Sequence, residues 1–71
     1  MIAQLPHEVR RVFEQHGIEN DSLTRQDHRL FVQLDDLEVG FEMRSAILDV
    51  LPCCLIADPH TQQPVLQITL Y

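Results

Sequence analysis

The chain reads as an α+β protein, with one N-terminal amphipathic helix packed on a three- to four-stranded antiparallel β-meander. Three observations predict this. A helical period of apolar residues opens the chain, a period of two runs through its centre, and a second period of two closes it. With 71 residues, one small domain spanning 1–71 is expected. A chain this short buries only about 60% of its unfolded surface, so dimerisation is a reasonable way to gain stability.

Residues 2–17 form the expected helix. Leu5, Val9, Val12, Phe13 and His16 share one face, while Arg10, Arg11, Glu14 and Gln15 lie outside. Pro6 suits a first helical turn, and Gly17 followed by Ile18 suits a left-handed C-cap with its apolar contact. Residues 19–27 carry a single apolar residue, Leu23, and read as a polar loop with Leu23 tucked under the helix.

Arg29 to Met43 is the stretch around which this reading is organised. Leu30, Val32 and Leu34 alternate with outward residues, and so do Leu37, Val39, Phe41 and Met43. Folding the segment at Asp35-Asp36 pairs Leu34 with Leu37, Val32 with Val39 and Leu30 with Phe41 on one face. The other face pairs Gln33 with Glu38, Phe31 with Gly40 and Arg29 with Glu42. The pattern predicts a hairpin in this register, since a slip of one residue would expose the whole apolar row.

Residues 45–57 fit two structures. Ile47, Val50, Leu51, Cys54 and Leu55 make a helical stripe, but Pro52 interrupts it. The run is apolar on both faces, as in a covered strand. The strand reading pairs Phe41 with Leu48 and Val39 with Val50. Asp58-Pro59-His60-Thr61 is a turn, and Val65–Tyr71 is a final strand with Leu66, Ile68 and Leu70 on one side.

Composition excludes several functions. Five arginines, no lysine and eleven acids give a net charge of −6, which argues against binding nucleic acid. No run of about 20 apolar residues is present, so no membrane span is expected. The polar Pro6-His7-Glu8 does not suit a signal peptide, and a cytoplasmic location is expected. His7, His16, His28 and His60 lack ligand spacing to one another or to cysteine, so neither a metal nor another cofactor is expected. Adjacent Cys53 and Cys54 would make a strained disulfide and read as reduced thiols packed in the core. Asp35, Asp36 and Glu38 read as a solvated turn. With no phosphate-binding glycine loop and no recognisable nucleophile and base, no enzymatic activity is expected.

A single helix covers one face of such a sheet. Phe31, Ile47, Leu51 and Val65 then have no intramolecular cover and are the expected partner-binding patch.

The succession of amphipathic helix, Gly17-Ile18, and Leu30-Phe-Val-Gln-Leu-Asp-Asp-Leu-Glu-Val-Gly-Phe-Glu resembles the first half of class I type III secretion chaperones, over residues 5–57. The resemblance implies a non-enzymatic homodimer that binds a partner polypeptide on apolar grooves and sheet edges, without cofactors. Those chaperones are nearly twice as long, with a middle dimerising helix and a C-terminal helix for which this reading leaves no room. The closing segment, Asp58 to Leu70, looks alternatively like that of a small phage virion protein of the head–tail joining kind.

Overall fold

The computed structural model describes residues 4–70. The order of elements is α1 (His7–Gln15), β1 (Leu23–Gln26), β2 (Arg29–Gln33), α2 (Leu37–Ile47), β3 (Cys53–Ala57) and β4 (Pro64–Thr69). The α+β class and the four-stranded antiparallel sheet are as expected. The strand order is β1-β2-β4-β3, so two hairpins meet at the central β2–β4 pair rather than following chain order as a meander does.

α1 begins at Pro6, whose ψ of 147° keeps it just outside the helix. It ends at Gly17, with φ 67°. There Ile18 N–H donates to the Phe13 carbonyl at 2.9 Å and Gly17 N–H to the Glu14 carbonyl at 3.2 Å. This pair of bonds satisfies carbonyls the helix leaves open. Ile18 then packs against the core beside buried Leu5, Val9 and Phe13. Residues 2 and 3, the first part of the expected helix, lie outside the described residues, as does Tyr71.

The expected loop at 19–27 holds a 3-10 turn at Asn20–Ser22 and the strand β1. Leu23 is buried in the core and pairs with Val32. Apart from Leu23, β1 is exposed. Its hydrogen bonding to β2 therefore makes it a strand, with no apolar alternation of its own to mark it. Asp27, with φ 57°, turns the chain into β2.

The expected hairpin at Arg29–Met43 is only half present. β2 forms, but Leu37–Ile47 is the helix α2. Leu30 pairs with Arg25 and Ile68, and Phe41 lies exposed on α2, so the Leu30–Phe41 pair does not exist. The Phe31–Gly40, Phe41–Leu48 and Val39–Val50 pairs fall with it. The physical reason is a competing period in the same residues. Gly40, Met43 and Ile47 fall at i, i+3 and i+7, and all are buried. Asp36 caps the helix, its Oδ1 accepting from Glu38 N–H at 2.8 Å, and Glu38 stands in the first turn. A middle helix therefore exists where the sequence reading left no room for one.

Residues 45–57 divide between the two expected structures. The first three finish α2. A turn follows, with the N–H groups of Val50 and Leu51 both donating to the Ile47 carbonyl, and then β3 starts after Pro52.

Both helices lie on one face of the sheet. α1 packs on α2, and α2 on β3 and β4. Val9, Phe13, Leu30, Val32, Met43, Ile47, Leu66 and Ile68 form the fully enclosed centre between them. α2 approaches β3 closely at Gly40, where a Cβ would stand 2.9 Å from Leu55 Cδ1. The other face of the sheet carries no helix.

Candidate functional site

Cross-strand register identifies the residues on the uncovered face. Thr24, Phe31, Gln67 and Cys54 form one row across all four strands, and Gln33, Val65 and Ile56 form the next. Phe31, Val65 and Ile56, with Thr24, Gln33 and Asp58, line a shallow depression of about 330 Å³. Its floor is apolar and its rim carries amide, hydroxyl and the Asp58 carboxylate. Val65 lies in it at 7% exposure and is not part of the helix-side core.

Of the four residues expected to form a contact patch, the structure brings two together. Phe31 and Val65 share the open face. Ile47 is fully buried in the core, and half-buried Leu51 packs against that core from the helix side. The expected patch assumed that α2 was sheet. Once that segment is a helix, Ile47 turns inward. Ile56, 42% exposed, takes the vacated place on the open face.

The β3 edge is the second feature. β3 ends the sheet on one side, and β1 ends it on the other. Thr69 N–H donates to the Pro52 carbonyl at 2.8 Å and Asp58 N–H to the Gln63 carbonyl at 2.9 Å. In an antiparallel ladder the backbone groups of alternate residues face alternate sides. Cys54 and Ile56 therefore face β4, and Cys53, Leu55 and Ala57 turn their N–H and C=O groups outward. No backbone hydrogen bond occupies these outward groups among the described residues. β3 also carries no charge and no proline, two of the devices that usually guard an edge. β1 is shorter and bears Arg25.

Alternation along β3 sends the two cysteines to opposite sides. Cys53 is half-buried toward the helices, its Sγ donating to the Arg44 carbonyl at 3.6 Å. Burial pushes its thiol up, while nearby Arg44 acts in the opposite direction. Cys54 is exposed on the open face, not in the core as expected. Both are free thiols.

The β3–β4 hairpin is tied at Asp58. Its Oδ1 accepts from the N–H groups of His60 and Thr61 at 2.7 and 3.2 Å. These bonds hold the carboxyl below the usual aspartate range. The tie is therefore complete at neutral pH and weakens only as acid protonates Asp58 through that lowered value. It fixes the rim of the depression, where Gln33 Nε2 also reaches Asp58 Oδ2 at 3.5 Å.

Among the described residues, no group of three or more His, Cys, Asp or Glu side chains is placed to hold a metal ion. None of the described helices is long and apolar enough to cross a membrane. No family model matches the chain, and no curated protein or solved structure shows significant similarity to it.

Proposed function

We propose that the chain is a non-enzymatic, chaperone- or adaptor-like binding module that takes a partner polypeptide as an added strand along β3. The observation that carries this reading is the row of outward backbone groups at Cys53, Leu55 and Ala57 on an uncharged edge. Main-chain hydrogen bonds to an added strand supply affinity, and alternate side chains supply selectivity. A strand added there extends the open face, so its side chains continue the rows of Ile56 with Val65 and of Cys54 with Phe31. A second copy can occupy the same edge, because two uncharged β3 strands meet across a twofold axis without repulsion. The homodimer is proposed on that ground.

Ala57→Pro provides the test. Ala57 is exposed and its N–H points away from β4, so proline there leaves the β3–β4 ladder intact. It removes one outward donor and places a ring in the path of an added strand. The variant is expected to keep the fold by circular dichroism and to lose at least about tenfold in affinity for the partner captured from the host, the cost of a lost hydrogen bond and a clash. Phe31→Asp, on the open face, should likewise keep the fold and weaken binding. If neither substitution changes capture of the partner or self-association in light scattering, the binding surface lies elsewhere.

A further inference from the structure

We propose that the outward face of α2 is a second docking surface and that its occupant is a basic, amphipathic helical segment of a partner protein. This goes beyond the strand-edge reading, because its main element is α2, whose outward flank borders the β3 edge.

Leu37 and Phe41 are each 54% exposed and Leu48 is 42% exposed. At i, i+4 and i+11 they form one apolar stripe along the helix. At Leu37 the stripe runs into a notch of about 270 Å³ lined also by Leu55, Ile56 and Ala57 of β3 and by Pro64. It is the spacing of side chains that a helix lying in a shallow groove engages.

Charge selects the occupant. One residue beyond Leu37 and Phe41 stand Glu38 and Glu42, an acidic pair beside the stripe, and Asp49 follows Leu48 in the turn after the helix. None of the three carboxylates has an ion-pair or side-chain hydrogen-bond partner among the described residues. Asp35 and Asp36 stand just before the helix start, Asp36 as its cap. The one cation of the segment, Arg44, is half-buried beside Cys53; at i+3 from Phe41 and i−4 from Leu48 it borders the stripe on the side away from Glu38 and Glu42. A partner with apolar side chains on one face and lysine or arginine beside them would cover the stripe and neutralise the acidic pair at once.

The same charges disfavour a second copy packed antiparallel. When two identical helices pack antiparallel about a twofold axis, like flanks meet, so Glu38 of one faces Glu42 of the other. Nucleic acid and anionic membrane surfaces are repelled for the same reason.

Three synthetic helical peptides test this against the intact chain. One has leucines at i, i+3 and i+4 spacing with lysines elsewhere, one has glutamates in place of the lysines, and one keeps the lysines but has serines in place of the leucines. Fluorescence anisotropy is expected to show binding of the leucine–lysine peptide, with the other two at least about tenfold weaker. Phe41→Ser should cost about tenfold, and Glu38→Gln with Glu42→Gln about fivefold together with a shallower salt dependence. All three residues are exposed, so these variants retain the fold. Phe31→Ser, on the open face and outside this notch, should leave this binding unchanged. Equal binding of the lysine and glutamate peptides would overturn the proposal, as would full binding of the serine–lysine peptide or indifference to Phe41→Ser. Conversion of a dimer to a monomer by Phe41→Ser would assign the stripe to a second copy instead.

Discussion

Phe13→Ala is expected to cost about 3–5 kcal/mol, the usual penalty for emptying a fully enclosed phenylalanine site. Phe13 has no solvent exposure. It lies where α1 packs on α2, and its carbonyl accepts the Ile18 bond that closes α1. A chain of this length commands about 4–10 kcal/mol in total. The substitution therefore removes a third or more of the stability. In urea titration, where a small domain has a slope near 1 kcal/mol per molar, the midpoint should fall by about 3–5 M. A shift under about 0.5 M would mean that α1 does not close the core.

Gly40→Leu is expected to be comparably damaging for the opposite reason. A Cβ at position 40 already stands 2.9 Å from Leu55 Cδ1 and 3.3 Å from Leu34 Cδ1. A full leucine side chain must push α2 off β3, and overpacking of this kind costs about 1–3 kcal/mol or more. Gly40→Ala is the control. The methyl meets only the mobile ends of side chains, and alanine gains roughly 1 kcal/mol of helix propensity over glycine, so the two effects nearly cancel. The contrast between the substitutions distinguishes α2 from the hairpin that the sequence pattern alone suggests. In that hairpin Gly40 would sit opposite Phe31 on an outer face, where leucine would be welcome. Thermal melts of the two variants decide between the arrangements. Leucine tolerated as well as alanine would remove the close α2–β3 contact from the account.

These two sites show what could be read from the residues. α1 was legible because its signals agree: apolar spacing, Pro6 before the first turn, and Gly17-Ile18 after the last. β4 was legible because Leu66 and Ile68 alternate with Gln67 and Thr69. β1 was not, since with Leu23 alone facing inward its strand character comes from pairing with β2. The segment from Leu37 to Met43 misled because its apolar residues satisfy both periods. Val39 and Met43 serve either, while Leu37 and Phe41 favour alternation and Gly40 and Ile47 favour the helix. The deciding signals were local and present, namely Asp36 in a capping position and Glu38 in the first turn. Exposed Leu37 and Phe41 suggested a strand because apolar residues are expected to face a core. If a partner covers them, as proposed, the deceptive pattern reflects the binding surface.

The candidate site was legible in the same measure. Phe31 and Val65 fall on one face because both follow from β2 and β4, although Val65, at 7% exposure, is covered by its neighbours rather than open as expected. Ile47 and Leu51 do not, because their faces depend on α2. The β3 edge could not be derived from composition, since strand order sets it, and β3 becomes an edge only because β4 inserts beside β2.

The central claim, that β3 offers a free backbone edge to an added strand, is most directly tested by amide hydrogen exchange resolved residue by residue, in the dilute free chain and in its complex with the captured partner. In the free chain Leu55 and Ala57 should exchange rapidly while Cys54 and Ile56, bonded to β4, exchange slowly. In the complex Leu55 and Ala57 should slow by at least about tenfold. Amides of Leu55 and Ala57 that are already protected in the free monomer, or that stay fast in the complex, would contradict the account.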